Sequence, residues 1–141
     1  MSPRISFITL GVHNLTTMRD FYVQTFDWTP FKESDSIVFF QLNGFILGLF
    51  PADELAADIG ITNDGDGFKR MSLAMNFKST EEVDQAFNNL IAKGARSITA
   101  PEAVFWGGYR GYIADIEDNY WELCFNPFVT LDDEGNVINH Q

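Results

Sequence analysis

The two halves of the sequence repeat one order of secondary-structure elements, and this repeat constrains the fold more than any single motif. Residues 5–12 have the composition of a strand, and the apolar residues after them recur at intervals of three and four, which is typical of one helical face. Asn14 or Thr16 can cap this helix. Three short strand-like segments follow it, at residues 28–31, 37–42 and 45–50. The first half therefore predicts the order βαβββ.

The second half of the chain repeats this order. Residues 71–77 indicate a strand, and Ser79 with Glu82 forms a capping box for a helix that Gly94 ends. Three more strand-like segments follow, near residues 96–98, 109–114 and 120–125. The expected fold class is α+β, with two tandem βαβββ modules that form a curved mixed sheet around a cleft.

The length and composition predict a single domain over residues 1–129. A chain of 141 residues with 45% hydrophobic residues is long and apolar enough to bury a core. The expected parts are module one at 5–50, a linker at 51–69 with a short helix over 52–58, and module two at 70–127. The polar residues 130–141 are expected to form a mobile C-terminal tail.

The charge and the cysteine count limit the partners and the location. A net charge of -11 disfavours nucleic acid and acidic membranes, which are bound through Lys and Arg, but it suits a neutral or cationic small molecule. The single cysteine, Cys124, cannot form an intrachain disulfide and is expected to be a small buried hydrophobe. The sequence has neither a signal peptide pattern nor an apolar run of membrane-spanning length, so a cytoplasmic protein is expected.

Two segments carry a family resemblance. The segment "ITLGVHNLTTMRDFYVQTFDW" (8–28) resembles the opening strand and helix of the vicinal oxygen chelate superfamily, and "FWGGYRGYIADIEDNYWELCFNP" (105–127) resembles its closing segment. This superfamily includes glyoxalase I, extradiol dioxygenases and the bleomycin- and fosfomycin-resistance proteins. Its usual closing turn contains Pro and Gly, which the turn at 115–118 lacks, so we expect a looser hairpin with an unchanged register.

The resemblance implies four strand positions that hold a divalent metal ion in the metal-using members. Counted along the two modules, these positions are Phe7, Gly48, Ser72 and Glu122. Only Glu122 is a common ligand, and a catalytic ion needs three or four donors. His13 and His140 fall outside the set, as surface histidines. No metal cofactor is therefore predicted, and a divalent metal remains the alternative.

Glu122 is the candidate catalytic residue, because it is a carboxylate within an otherwise apolar strand. Three roles stay open for it: a structural hydrogen bond to Ser72 or to a backbone amide, an acid, base or charge partner for a ligand, or part of a rearranged metal site. Asn76 should share the face of Ser72 and is a further candidate for ligand binding.

The loop before the penultimate strand of module two supplies three more candidates. Trp106 and Tyr109 could stack on a flat ligand, or they could belong to the core or to a dimer interface. Arg110 could pair with an acidic group of the ligand or with Glu117.

The favoured interpretation is a protein that binds a small aromatic or cationic molecule in a metal-free cleft. The alternatives are a divalent-metal-dependent lyase or dioxygenase of the glyoxalase type, and a metal-free isomerase or lyase with Glu122 as its base. The resemblance also implies a homodimer.

Overall fold

The computed structural model of the chain describes residues 1–140. The chain divides into two compact units, Met1–Gly67 and Phe68–Gln141, and the boundary between them falls within the predicted linker. Gln141, the last residue of the expected tail, lies outside the described residues. Within the described part of the chain, every helix is too short or too polar to cross a membrane.

Unit 1 contains one four-stranded sheet with two helices. Its elements are β1 (Phe7–Val12), α1 (Leu15–Thr25), β2 (Lys32–Glu33), β3 (Val38–Gln41), β4 (Ile46–Pro51) and α2 (Ala52–Ile59). The strand order is β1-β4-β3-β2, with β1 parallel to β4 and the other pairs antiparallel. This arrangement confirms the predicted βαβββ order of module one and the short helix in the linker.

The core of unit 1 lies between α1 and one face of this sheet. The Asn14 side chain accepts a hydrogen bond from the backbone N–H of Thr17 and so caps α1. Met18 and Tyr22 of α1 are fully buried, as are residues of β3 and β4 on the face that they cover. The packing explains one difference from the sequence analysis, which placed a strand at residues 28–31. The Trp28 ring stacks on that of Tyr22 at 5.7 Å, and pairing with β3 begins only at Lys32.

Unit 2 repeats the plan of unit 1. Its elements are β5 (Leu73–Phe77), α3 (Thr80–Ala92), β6 (Arg96–Ala103), β7 (Tyr109–Ala114) and β8 (Tyr120–Phe125). The strand order is β5-β8-β7-β6, again with the first pair parallel and the others antiparallel. Ser79 caps α3 as predicted, and Gly94 takes a left-handed φ of 118° just beyond its end. The α+β class and the tandem βαβββ modules are therefore confirmed.

Within the expected polar C-terminal tail, the structure has two paired strands. Val129–Leu131 forms β9 and Val137–His140 forms β10, and the two strands pair as an antiparallel hairpin. In the turn between them, one Asp132 carboxylate oxygen accepts the N–H groups of Glu134 and Asn136. This local bonding allows a polar segment to pair without a large apolar face.

A second turn, with the same side-chain bonding, joins β7 to β8. Asp115, which is buried, accepts the N–H groups of Glu117 and Asn119 through one carboxylate oxygen and the Asn119 side chain through the other. Asp118 takes the left-handed conformation, with a φ of 62°, at the place that Gly135 holds in the β9–β10 turn. The hairpin keeps its register without the Gly of the usual family turn, because the side-chain bonds of Asp115 hold it.

Candidate ligand-binding face

The sheet of unit 2 has two distinct faces. Tyr109 donates its hydroxyl to the carboxylate of Asp84 in α3 at 2.6 Å, so alternate residues of β7 starting at Tyr109 face the helix. Ile113 and Leu123 are fully buried on that side. The other side is named the helix-free face. It carries Ser72, Ala74, Asn76, Thr99, Arg110, Tyr112, Tyr120, Glu122 and Cys124.

Glu122 binds a tyrosine on the neighbouring strand. Tyr112 lies directly opposite Glu122 in the β7–β8 register, and its hydroxyl donates to Oε2 of Glu122 at 3.1 Å. Burial, the Glu122 charge and this hydrogen bond all raise the pKa of Tyr112, so the phenol stays a proton donor at neutral pH. The structural partner of Glu122 is thus Tyr112, and no hydrogen bond to Ser72 exists among the described residues.

Arg110 extends this group of side chains along the helix-free face. Its guanidinium carbon lies 5.8 Å from the centre of the Tyr112 ring, and its Nη1 pairs with Glu102 at 3.2 Å. The expected pairing with Glu117 is therefore wrong, because Glu102 lies opposite Arg110 in the β6–β7 register. The strand register therefore determines that Arg110 pairs with the Glu102 side chain.

Cys124 is the last member of this group of side chains, and it lies on β8. It is 2% exposed, which confirms the predicted buried hydrophobe, and it lies opposite Asn76 of β5 and Arg110 of β7. Burial and then the nearby Glu122 charge raise the pKa of the Cys124 thiol to about 11, against a smaller opposing effect of Arg110. A thiol with such a pKa is a poor nucleophile at neutral pH.

A cavity of about 490 Å³ opens at one end of the helix-free face. Its apolar and aromatic walls are Phe68, Met71, Ile98, Tyr112 and Tyr120. Its polar side chains are Arg70, Ser72 and Thr99. Of the sequence-predicted residues, only Ser72 lines this cavity, and Glu122 reaches it only through the hydroxyl of Tyr112.

The structure does not bring the other aromatic candidates to this cavity. Tyr109 lies on the helix side of the sheet, bound to Asp84. Trp106 lies in the β6–β7 loop, where its ring covers Gly108 so closely that a Cβ on Gly108 would lie 2.0 Å from a ring atom. Tyr109 is therefore on the opposite side of the sheet from Glu122, and Trp106 does not line the cavity.

In unit 1, Phe7 and Gly48 lie on the face away from α1. Gly48 is opposite Phe39 of β3 and opposite Thr9 of β1, two residues beyond Phe7. The Phe39 ring fills the space of a side chain at position 48, with a ring carbon 3.3 Å from where the Cβ would be. Phe7 packs edge-on against the same ring at 5.6 Å.

The four predicted ligand positions do not fit a divalent metal ion. In unit 1, Gly48 has no donor and Phe39 occupies its space, while Phe7 offers only a ring. In unit 2, Glu122 is a single carboxylate already engaged by Tyr112, and serine is a weak ligand. Across residues 1–140, neither unit groups three His, Cys, Asp or Glu side chains closely enough to hold an ion.

Comparison with known proteins agrees with the fold. The sequence profile of the Glyoxalase/Bleomycin resistance protein/Dioxygenase superfamily matches residues 4–123. A glyoxalase-related enzyme from Fulvimarina pelagi is 31% identical, with a TM-score of 0.89 over 99% of this chain and 100% of that one. No curated protein matches the chain by sequence.

Two more distant structures show the fold alone. A glyoxalase/bleomycin resistance protein/dioxygenase from Nocardioides is 23% identical, with a TM-score of 0.78 over 89% of this chain and 84% of that one. A lactoylglutathione lyase from Agrobacterium tumefaciens is 19% identical, with a TM-score of 0.70 over 89% and 96%. From the profile match and the Fulvimarina structure, the chain belongs to the Glyoxalase/Bleomycin resistance protein/Dioxygenase superfamily, the vicinal oxygen chelate superfamily that the sequence resembles.

Proposed function

We propose that this protein binds a small aromatic or cationic molecule on the helix-free face of unit 2, without a metal ion. The cavity beside Tyr112 carries this proposal. Its volume of about 490 Å³ is in the range of small-molecule sites, and its walls are mostly apolar with a few polar groups. Such a lining suits a flat ring that can pack between Tyr112 and Tyr120.

The charge of the chain bears on the ligand at longer range. A net charge of -11 raises the local concentration of cations and lowers that of anions around the protein. The lining itself favours an aromatic body, because five of its eight side chains are apolar or aromatic.

A ligand screen with a variant that blocks the cavity tests this proposal. Ligand-observed NMR would compare a library of small aromatic and cationic molecules against the wild type, Ser72→Trp and Ser36→Trp. Both serines are exposed, but only Ser72 lines the cavity. Aromatic hits should lose their signal with Ser72→Trp and keep it with Ser36→Trp. Hits that bind all three proteins equally would show that the cavity is not the site.

A metal-dependent lyase or dioxygenase activity is not supported by the donor set described above. Its test is direct: incubation with nickel, zinc, iron and manganese salts, desalting, and metal analysis by plasma mass spectrometry. Retention of about one ion per chain would show that other residues build a metal site.

The Tyr112–Glu122 pair favours a second candidate, a metal-free isomerase or lyase. Tyr112 engages Oε2 of Glu122, which leaves the other carboxylate oxygen to accept a proton from a substrate that extends from the cavity along the helix-free face. The test is exchange of hydrogen for deuterium beside a carbonyl group of the screening hits, followed by NMR in D₂O. Exchange by the wild type that Glu122→Gln abolishes would support this chemistry, and equal exchange by both would exclude Glu122 as the base.

The predicted homodimer and the cytoplasmic location rest on the sequence analysis and stay predictions. Sedimentation at micromolar concentration tests the first. A single species at the chain mass of 16.0 kDa would contradict the dimer.

A further inference from the structure

We propose that the molecule bound in the cavity of unit 2 is an aromatic carboxylic acid, whose carboxylate pairs with Arg70. This inference rests on the proposed function and narrows its ligand to one chemical class. Of the eight lining residues, Arg70 alone is charged, and none is Asp or Glu. The lining therefore attracts an acid locally, although the chain as a whole is acidic.

Arg70 differs from the adjacent Lys69 in the partners of its charged group. Lys69 binds the backbone oxygen of Glu117 and the side chain of Asn119. By contrast, the Arg70 guanidinium has no ion pair or hydrogen bond within residues 1–140, so its donors remain open to a ligand.

The hydroxyl groups of the cavity complete the donor set. The side chains of Ser72, Thr99 and Tyr120 make no hydrogen bond to any described residue. The Tyr112 hydroxyl already donates its hydrogen bond to Glu122. Three open hydroxyls and a guanidinium can all donate to a carboxylate, which only accepts. A cationic ligand would meet no carboxylate in this lining.

The backbone at Arg70 supports a functional role. Arg70 has a φ of 58°, in the left-handed region that costs an L-residue energy and that glycine adopts freely. Strained residues often mark ligand sites. Glycine at this position would relieve the strain, so folding alone does not explain the arginine.

The geometry of the cavity also favours an acid with a ring. A guanidinium and a carboxylate can form two parallel hydrogen bonds, a geometry that fixes the orientation of the bound group. With its carboxylate at Arg70, the ring of the acid can pack on the aromatic wall formed by Tyr112, Tyr120 and Phe68.

Three isosteric probes test the inference by calorimetric titration. They are 2-naphthoate, 2-naphthamide and 2-naphthamidine, which share a ring and a trigonal head group but carry charges of about -1, 0 and +1 at neutral pH. The wild type should bind the acid about tenfold more tightly than the amide, and the amidine most weakly. Arg70→Gly should bind the acid only as tightly as the amide while melting at an equal or higher temperature.

Two further variants serve as controls. Arg70→Lys keeps the charge and should keep part of the preference for the acid. Arg4→Gly removes one exposed charge from unit 1 and should leave all three affinities unchanged.

The outcomes separate this inference from the proposed function. Equal binding of the acid and the amide by the wild type, or an acid affinity that Arg70→Gly does not change, would overturn the role of Arg70. Binding of the amide that Ser72→Trp abolishes would still support the cavity in either case. If the wild type binds none of the three probes, the inference fails. The NMR ligand screen described above then tests the proposed function on its own.

Discussion

Alkaline pH should destabilise the protein through Cys124. The pKa of this thiol rises from 9.0 to about 11 in the folded chain, so folding favours the protonated form. The resulting contribution to stability is fully present below pH 9 and is lost as the pH rises through the folded pKa. Each pKa unit corresponds to about 1.4 kcal/mol, so the total loss is about 2.7 kcal/mol, of which about 1.4 kcal/mol is lost by pH 10.

The assay is urea unfolding under reducing conditions, followed by circular dichroism at pH 7.5, 9.0 and 10.0. The free energies of unfolding of the wild type and Cys124→Ala are compared at each pH. The cavity left by the substitution has a cost that does not depend on pH. The advantage of the wild type should therefore shrink by about 1.4 kcal/mol between pH 7.5 and pH 10.

Two controls locate the cause. Tyr109 and Tyr112 also have raised pKa values, but their contributions to stability are lost mainly above pH 10. Both tyrosines are present in the wild type and in Cys124→Ala, so they do not account for a difference between the two proteins. In Glu122→Gln the loss through Cys124 should be smaller, because the Glu122 charge is the second cause of the raised pKa. A difference between wild type and Cys124→Ala that stays constant from pH 7.5 to pH 10 would refute the placement of Cys124 in a buried site beside Glu122.

Two further predictions concern glycines whose space is filled by a ring. Gly48→Glu would put a Cβ about 3.3 Å from the Phe39 ring, so thermal or urea unfolding should show a loss of about 1–3 kcal/mol, which adding Phe39→Ala should partly restore. An unchanged stability would mean that this ring moves freely. Gly108→Ala would put a Cβ 2.0 Å from the Trp106 ring, so the ring must leave its place and the tryptophan emission should change. The same spectrum in both proteins would contradict the described loop.

The sequence could predict the fold of each unit because the relevant signals are local. The caps at Asn14 and Ser79, the helical periodicity and the strand composition all act within a few residues. The structure differs from the sequence predictions where the decisive contacts are tertiary and where a turn is held by side-chain bonds. Trp28 joins the aromatic core, so strand pairing starts later than composition suggests. The β9–β10 hairpin has a turn that repeats the bonding around Asp115, and comparing the two segments would have indicated it.

Part of the candidate site could also be predicted from the sequence. The turn joins Ala114 to Tyr120, so counting two residues outward on each strand places Tyr112 opposite Glu122. Arg70 could not be found in this way. It lies at the end of a linker without periodicity, and its importance depends on a left-handed backbone and on which neighbours leave it unpaired.

The two modules show how the same register can end in different chemistry. Gly48 and Glu122 occupy equivalent places, and each lies directly opposite an aromatic residue on the neighbouring strand, Phe39 in unit 1 and Tyr112 in unit 2. In unit 1 the aromatic ring takes the space of the missing side chain, and in unit 2 the aromatic hydroxyl binds the remaining carboxylate. Restoring metal ligands would therefore require changes on two strands of each module. A single donor added at Gly48 would meet a ring, whereas removal of the Tyr112 hydroxyl would leave Glu122 half-buried without its partner. Because each former ligand position is tied to an aromatic partner, the arrangement favours a function in which a ligand packs on aromatic side chains rather than one that needs a metal ion.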